Sequence, residues 1–251
     1  MKLSNRRKQE LLWIFKEKYR EKWHPDFLKD AGRLLRGEPV DYIIGWTPFL
    51  NCKIDLSYKP LIPRPETEYW TEQAIRELRS KNQELRILDL FAGSGCIGIA
   101  MLKNIKNANV DFADVDPNSI AQTKLNLQFN KIRASRYRAI RSDVWSNLRN
   151  TYDYIFANPP YIPVRNKQKV QRAVLRYEPH RALFGGGDGL YFIKKFLRDA
   201  RRHLKPNGII FMEFDSSQKN AITKLLRQYG YTKFAFLKDQ YGKWRLARIA
   251  L

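Results

Sequence analysis

The chain has 251 residues, of which 43% are hydrophobic and 13% aromatic, enough to bury a sizeable core in one large domain or in one domain with a small appendage. No apolar run approaches the roughly 20 residues that cross a bilayer, and the charged N-terminus lacks a signal-peptide pattern, so we expect a soluble cytoplasmic protein. The formal net charge of +22 would attract polyanions.

Cysteine and histidine usage argues against a disulfide framework and against a metal centre. The two cysteines, Cys52 and Cys96, are too few for a disulfide-rich fold or for a four-ligand zinc site. The three histidines, His24, His180 and His203, stand far apart without the spacing of metal ligands. We therefore expect no metal.

The N-terminal part of the chain predicts two short helices followed by a hairpin. Residues 5–36 have helical spacing, and the residues expected on apolar faces are Leu11, Leu12, Phe15, Tyr19, Leu28, Leu34 and Leu35. The next stretch alternates short β-prone runs with glycine and proline, which is typical of a hairpin linker. We divide this part into a short helical segment, residues 1–38, and a β-hairpin linker, residues 39–65.

The remaining residues, 66–251, predict a third unit of the α/β class. A helix begins near Glu66, with Pro65 at its start. From Arg86 onward, strands and helices alternate: RILDL, GCIGIAMLKNI, ANVDFAD, PNSIAQTKLNLQFN, YRAIRSD, YDYIFAN, a helix over 189–203, GIIFMEF, a helix over 218–229, KFAFLK and WRLARIA. This order predicts a Rossmann-like, doubly wound, mostly parallel sheet of seven strands. No helix separates the last two strands, so one of them should be antiparallel.

The first strand of this unit leads into a glycine-rich turn. ILDLFAGSG places Asp89, Gly93, Ser94 and Gly95 between strand and helix, where glycine lets backbone N–H groups approach a ligand closely. The turn is a poor match to a dinucleotide G-x-G-x-x-G, and no G-K-[S/T] follows it as in a P-loop. Asp89 would repel a pyrophosphate but suits a cation. S-adenosylmethionine (SAM) has sulfonium and ammonium groups and no phosphate, so it fits this turn.

Acidic residues also follow the next two strands. Asp114 comes about 20 residues after the turn, where an acid can accept hydrogen bonds from both ribose hydroxyls. Asp116 is an alternative, although its place before Pro117 suits a helix N-cap better. After the third strand, Asp143 would accept from the adenine amino group, and the backbone of Val144 would donate to the ring. Any one acid could simply cap a turn, but three in succession at one sheet edge favour a binding site.

The segment ANPPYIP follows the fourth strand. Proline has no N–H and holds the preceding residue in extended geometry, so the side-chain oxygen of Asn158 and the backbone oxygen of Pro159 would be presented as acceptors. They would clamp a planar NH₂ group facing the methyl donor, with Tyr161 stacked on it. We therefore assign catalysis, chiefly by alignment of a weak nucleophile, to Asn158, Pro159, Pro160 and Tyr161. The NH₂ group could belong to adenine, cytosine or a glutamine side chain.

Five segments make the chain resemble the PrmC/HemK family, the methyltransferases that modify the glutamine of the Gly-Gly-Gln loop in peptide chain release factors. They are GEPVDYIIG, LIPRPETE, ILDLFAGSGCIGIA, NPPYIP and RYEPHRALFGGGDGL, from about Gly37 to the C-terminus. The second and the fifth are far more particular to this family than the other motifs. The resemblance implies a class I SAM-dependent methyltransferase fold, SAM as the cofactor and a release factor as the partner.

The resemblance also implies roles for single residues. Those that would contact SAM are Phe91, Ala92, Gly93, Ser94, Gly95, Asp114, Val144 and Asn158. Those that would hold the glutamine amide are Asn158, Pro159, Pro160 and Tyr161, and those that would build the substrate entrance are Arg64, Pro65 and Glu66. The chain departs from the family in having Phe91 where glycine is commoner, Asp215 where a small residue is usual, and an N-terminal part about half as long. We interpret the glycines of LFGGGDGL as a flexible loop near the entrance.

Two other functions stay open on the residues alone. An amino-methyltransferase acting on adenine in RNA or DNA would use the same NPPY site, and the basic segments RASRYRAIR and RNKQKVQRAVLR on either side of that motif would suit a nucleic acid. An RNA- or ribosome-binding module with a vestigial site would keep the charge but not bind SAM. We expect a monomer without membrane contact, whose basic surface is compatible with proximity to the ribosome or RNA.

Overall fold

The protein, in a computed structural model that describes residues 4–251, contains nine strands in two sheets. In chain order the strands are β1 Trp46–Phe49, β2 Cys52–Asp55, β3 Leu85–Leu90, β4 Ala108–Asp114, β5 Tyr137–Arg141, β6 Tyr152–Ala157, β7 Leu204–Glu213, β8 Lys233–Lys238 and β9 Trp244–Ala250. Strands β1 and β2 form an antiparallel hairpin, and the other seven form one sheet in the order β5-β4-β3-β6-β7-β9-β8. The hairpin and the seven predicted strands are therefore confirmed.

Helices alternate with the strands of the large sheet and also precede it. In chain order they are α1 Asn5–Trp13, α2 Asp26–Leu35, α3 Val40–Ile44, α4 Pro65–Arg79, α5 Cys96–Asn104, α6 Pro117–Phe129, α7 Arg172–Tyr177, α8 Tyr191–Ala200 and α9 Lys219–Gln228. A π-helical turn over Ile14–Lys18 continues α1. Among residues 4–251, no helix combines the length and the apolar content that a membrane crossing requires.

The large sheet is parallel except at one strand. Strands β3 to β7 pair in parallel, and β9 is antiparallel to both β7 and β8. The prediction of a mostly parallel sheet with one reversed strand is confirmed. Because these strands are parallel, their carboxyl ends meet at the same edge, which is where ligands bind in open sheets of this kind.

Side chains of the central strand β3 alternate between two hydrophobic cores, one on each face of the sheet. Leu85 and Ile87 belong to the core that contains α4 and α5, whereas Leu88 and Leu90 belong to the core that contains α8 and α9. All four are at most 1% exposed, as expected for a strand covered on both faces. The central strand is therefore a rigid base for the loop that follows it.

The N-terminal helices have a small core of their own, and part of their predicted apolar face is wrong. Ile14 and Leu34 are fully buried there and pack with Ile43. Three leucines that were predicted to be buried are instead 52–65% exposed: Leu12, Leu28 and Leu35. The reason is helical phase. At 100° per residue, Leu12 lies about 160° round the helix from Ile14, so burying one exposes the other.

The linker is less extended than the sequence pattern indicates. Residues 40–44 form the short helix α3, which ends at Gly45 with a left-handed backbone (φ 94°). Gly45 then connects α3 to the hairpin, a geometry that favours glycine. The division of the chain at residues 38 and 65 stays a prediction, and residues 1–3 of the predicted first segment lie outside the described residues.

Candidate active site

Two cavities open at the carboxyl edge of the large sheet and share a wall. The first has a volume of about 310 Å³ and the second about 450 Å³. Four residues line both of them: Leu61, Arg64, Asn158 and Ala182. A molecule in either cavity would therefore meet Asn158, the residue that follows β6.

The glycine-rich turn between β3 and α5 forms the floor of the first cavity. Gly93 has φ 55° and lines the cavity, so its backbone is in the region that favours glycine. Phe91, two residues earlier, also has a left-handed backbone (φ 64°), which explains why glycine would be common at this position. Its ring packs edge-on against Phe192, with centroids 6.1 Å apart. The energetic cost of a left-handed backbone at Phe91 is thus offset by aromatic packing at the cavity wall.

Asp114, at the end of β4, is bound directly to the glycine turn. Its Oδ2 accepts the N–H of Gly93 at 2.9 Å, and its Oδ1 accepts the N–H of Asp116, also at 2.9 Å. Burial raises the pKa of the Asp114 carboxyl, so hydrogen-bond donors facing it would be strongly favoured. Asp116 is the N-cap of α6 and accepts from Asn118 N–H at 3.2 Å, which agrees with the role that its place before proline predicts.

The loop after β5 brings Asp143 and Val144 to the same cavity. Val144 is buried and has φ 53°, an unusual backbone for a β-branched residue and one that is often found at functional sites. Its N–H has no hydrogen-bond partner among residues 4–251. The carboxylate of Asp143 already binds the ammonium group of Lys195 at 2.6 Å, so this acid is partly neutralised.

Asp89 does not lie on the wall of either cavity, which corrects the prediction of a direct contact with the ligand. It is 1% exposed, and its Oδ2 accepts the N–H of Gly98 in α5 at 2.9 Å. Strand alternation turns it to the α5 face together with Ile87, away from the sheet edge. Its other oxygen is the one buried side-chain N or O atom without a partner among the described residues, and burial raises its pKa to about 8.

The NPPY segment places Asn158 and Tyr161 at the second cavity, joined to a buried carboxylate. Asn158 Nδ2 donates to Thr67 Oγ1 at 3.4 Å, and Thr67 Oγ1 donates to Glu213 at 2.7 Å. The Tyr161 hydroxyl donates to the other oxygen of Glu213 at 2.9 Å. Pro159 lines the second cavity and Pro160 the first. The four predicted catalytic residues therefore meet where the cavities join.

The glycine loop after residue 182 packs on the NPPY segment from behind. Gly185 donates its N–H to Ile162 O at 3.0 Å, and the side chain of Gln218 donates to the backbone oxygens of Tyr161 and Gly189 at 2.9 and 3.2 Å. A Cβ on Gly185 would lie 2.3 Å from Pro160 O. Gly185 and Gly189 are therefore in direct contact with the backbone of the site, and the flexibility of the loop stays a prediction.

Arg64 is the one residue of the predicted entrance that lines the cavities. Its guanidinium binds both oxygens of Glu178, at 2.7 and 2.8 Å, and Glu178 also accepts the N–H of Ile62. Pro65 is the exposed first residue of α4 and Glu66 follows it, but neither lines a cavity. Gly95 is likewise behind the turn, as the N-cap of α5.

The sequence analysis gave no role to several residues of the site. Thr67 and Phe192 line the first cavity, and Glu213 lines the second. Thr67 is part of LIPRPETE, so that motif could have pointed to it. Phe192 and Glu213 come from a helix start and a strand end far along the chain, and only the packed fold brings them to the site.

The two basic segments beside NPPY behave differently. In the first, Arg136 donates to three backbone carbonyl oxygens, and Arg138 is paired with Asp111, so these charges support the fold. In the second, the exposed cations without an ion pair among residues 4–251 are Arg165, Lys167, Lys169, Arg172 and Arg176. Lys169 lines the second cavity, which therefore has a basic rim.

The sequence and the fold both match known methyltransferases. The methyltransferase small domain family matches residues 71–190. The release factor glutamine methyltransferase of Flavobacterium psychrophilum is 34% identical over 240 residues, which cover 90% of this chain and 83% of that protein. The protein of the same name from Thermodesulfovibrio yellowstonii is 35% identical over 212 residues, covering 84% and 75%.

A solved structure supports the fold. A methyltransferase from Pyrococcus furiosus superposes with a TM-score of 0.60 at 21% identity, covering 88% of this chain and 97% of that one. At this identity the likeness concerns the fold alone. It agrees with the Rossmann-like α/β architecture that the alternation of strands and helices predicts.

Proposed function

Because the chain belongs to the release factor glutamine methyltransferases and is thus a SAM-dependent methyltransferase, we propose that it methylates the side-chain amide nitrogen of the glutamine in the Gly-Gly-Gln motif of a peptide chain release factor. The observation that carries this proposal is the position of Asn158 in the shared wall of the two cavities. The first cavity would hold the methyl donor and the second would admit the amide. Asn158 would then touch both.

The residues of the first cavity fit SAM. After its two backbone donors, the carboxylate of Asp114 keeps free lone pairs that can accept the ribose hydroxyls. The N–H of Val144 is available to the adenine ring, and the ring of Phe192 adds an apolar surface. The carboxyl of Asp114 is the acidic group near the turn that lines this cavity, and Asp89 lies behind the turn without lining it. When bound, SAM supplies a methyl group on a positively charged sulfonium.

The residues of the second cavity would align the amide. The Asn158 side-chain oxygen and the Pro159 backbone oxygen would each accept one N–H of the glutamine, holding its nitrogen toward the first cavity. Burial and the neighbouring Glu213 keep the pKa of Tyr161 well above its usual value, so Tyr161 stays a neutral wall and is not a base. An amide nitrogen is a weak nucleophile, so alignment and acceptors for its N–H groups supply most of the rate enhancement.

The basic rim of the second cavity indicates what surrounds the glutamine in its substrate. Residues 162–177 contain five Lys or Arg and no Asp or Glu, and this segment provides one wall of the cavity through Lys169, Val170, Gln171 and Val174. A protein loop that enters the cavity would meet Lys169 on its wall, and the other four cations belong to the same exposed segment. We therefore expect the protein substrate to interact with these cations through acidic residues near its Gly-Gly-Gln loop.

Transfer of tritiated methyl from SAM tests the proposal. The enzyme is given a release factor and total RNA in parallel reactions, and a matched factor in which the Gly-Gly-Gln glutamine is replaced by alanine serves as the control. We expect label in the factor and none in the replaced factor. Label in the replaced factor, or label found only in nuclease-sensitive material, would contradict the proposed substrate.

A further inference from the structure

Glu213, the last residue of β7, has a buried carboxylate at the centre of the active site, and apart from keeping Tyr161 neutral the proposed function gives it no role. It is 1% exposed. Its Oε2 accepts the Thr67 hydroxyl and the Trp70 indole N–H, both at 2.7 Å, and its Oε1 accepts the Tyr161 hydroxyl at 2.9 Å. Three side-chain donors from two distant parts of the chain thus converge on one carboxylate.

The direction of each hydrogen bond in this group follows from the chemistry of the donors. An indole N–H can only donate, so Oε2 of Glu213 must act as an acceptor toward Trp70. The single proton of the Thr67 hydroxyl is directed at the same oxygen. The lone pairs of Thr67 Oγ1 can then only accept from other groups, and Asn158 Nδ2 is the donor that lies there, at 3.4 Å.

This order of donors and acceptors determines which end of the Asn158 amide faces the cavities. If the amide were flipped, its oxygen would face Thr67 Oγ1 with no proton between the two, and an unpaired polar contact of this kind is unfavourable. With the nitrogen toward Thr67, the oxygen is presented to the substrate. An oxygen there accepts from an NH₂ group and disfavours a carboxylate or a carbonyl.

We propose that Glu213 is a positioning residue that acts through Thr67 to hold the Asn158 amide with its oxygen toward the substrate, and so selects an NH₂-bearing side chain. The same carboxylate binds Tyr161, so both sides of the amide clamp are attached to one buried group. The inference rests on the proposed function, in which the Asn158 oxygen accepts from the substrate amide.

Paired substitutions at Thr67 and Glu213 test the relay. Thr67→Ser keeps the hydroxyl, whereas Thr67→Val keeps the shape and removes it. Glu213→Gln keeps one acceptor oxygen. This oxygen must face the indole N–H of Trp70, so it also keeps the hydrogen bond from the Thr67 hydroxyl, and the amide nitrogen faces Tyr161. Glu213→Met has no acceptor. We expect kcat to fall about tenfold or more in the Val and Met variants and to stay within about threefold in the Ser and Gln variants. The Kd for SAM should stay unchanged in the two Glu213 variants, because Glu213 lines only the second cavity.

A readout without substrate separates this inference from the proposed function. In the ¹⁵N spectrum of the free protein, the side-chain NH₂ pair of Asn158, assigned by its loss in Asn158→Asp, should shift in Thr67→Val and stay in place in Thr67→Ser. An unchanged NH₂ pair together with full activity in Thr67→Val would overturn the relay. A Glu213→Gln variant as inactive as Glu213→Met would also overturn the relay, because activity would then depend on the negative charge of Glu213 and not on its acceptor oxygen. If Glu213→Met does not fold, the Thr67 pair decides alone. Absence of methyl transfer to the factor by the native enzyme would count against the proposed function and leave the spectral test standing.

Discussion

Arg64 and Glu178 are 114 residues apart in the chain, yet the guanidinium of one binds both carboxylate oxygens of the other, at 2.7 and 2.8 Å. Arg64 belongs to LIPRPETE and Glu178 to YEPHRALFGGGDG, the two segments most particular to the family. Glu178 is buried and also accepts the N–H of Ile62. The pair therefore joins the linker to the loop beyond NPPY, and Arg64 lines both cavities. The family-specific segments thus form a common rim around Asn158.

Replacing Asn158 with alanine should impair turnover far more than cofactor binding. The change removes an acceptor that would act on the substrate amide as charge develops on nitrogen, so we expect kcat to fall about 100-fold or more. The residues that would hold the ribose and adenine are untouched, and the Kd for SAM should change little. Steady-state methyl transfer and calorimetric titration with SAM measure the two effects. Nearly intact turnover would mean that the amide clamp is wrong.

Replacing Asp114 with alanine should have the opposite profile. The carboxylate faces the first cavity and is held by the N–H groups of Gly93 and Asp116, so its loss removes both the ribose acceptors and a support of the glycine turn. We expect the Kd for SAM to rise about 10- to 100-fold. Asp116→Ala is the matched control, because it removes a neighbouring acid that caps α6. Equal weakening in both variants would move the ribose contact away from Asp114.

The sequence predicts the strands well because buried parallel strands are apolar runs bounded by turns. The ends of those strands then place Asp114, Val144 and Asn158 at one edge, since parallel strands share an edge for their carboxyl termini. Asp89 is different. It lies inside β3 and not at its end, and the alternation of side chains along the strand directs it toward α5. Counting faces along ILDL, with Leu88 and Leu90 on the opposite side, would have indicated this.

Hydrogen-bond partners across the fold could not be predicted from patterns. Thr67, Tyr161 and Glu213 are held together over sequence separations of 146 and 52 residues, and no local spacing encodes such contacts. The prediction of the apolar face of the N-terminal helices was partly wrong for another reason. Leucines occur on several sides of these helices, and only packing against Ile43 selects Ile14 and Leu34 as the buried ones.

Reversing charge on the basic rim should weaken recognition of the protein substrate. With Arg165, Lys167 and Lys169 all changed to Glu, we expect KM for the release factor to rise about tenfold while kcat changes little, because these exposed side chains would act on encounter. The native enzyme should show a KM that rises with salt, and the variant a flatter dependence. Methyl transfer between low and physiological ionic strength measures both.

The control for this charge reversal has the same change in net charge on another face. Lys224, Arg227 and Lys233 are exposed and line neither cavity. Their replacement by Glu should leave KM within about twofold of the native value, as expected for exposed charges that line neither cavity and are screened by salt. An equal effect of both triple variants would mean that total charge matters and that the rim has no local role.

The buried carboxyl of Asp89 should make the protein less stable as pH rises. Burial raises its pKa from the ordinary value of 3.8 to about 8, so the folded state favours the protonated form. The resulting contribution to the free energy of unfolding is fully present below about pH 4 and is lost as pH rises through about 8. Urea unfolding at pH 5, 7 and 8.5 measures the free energy of unfolding of the native protein and of Asp89→Asn. We expect the Asn variant to gain stability relative to the native protein as the pH rises. A difference independent of pH would contradict this.

Alanine substitutions in the glycine loop should separate packing against the active site from simple loop flexibility. At Gly185 a Cβ would lie 2.3 Å from Pro160 O and 2.6 Å from Gly189 O, whereas at Gly187 nothing lies within 4 Å. Gly185→Ala must displace the backbone of the NPPY segment, so we expect a loss of about 1–3 kcal/mol in the free energy of unfolding and a clear fall in kcat. Gly187→Ala, two residues away in the same loop, should stay within about 0.5 kcal/mol of the native protein with full activity. Urea unfolding and methyl transfer measured on both variants make the comparison. Equal behaviour of the two would show that the loop does not support the NPPY backbone, since flexibility is the one property that both substitutions reduce alike.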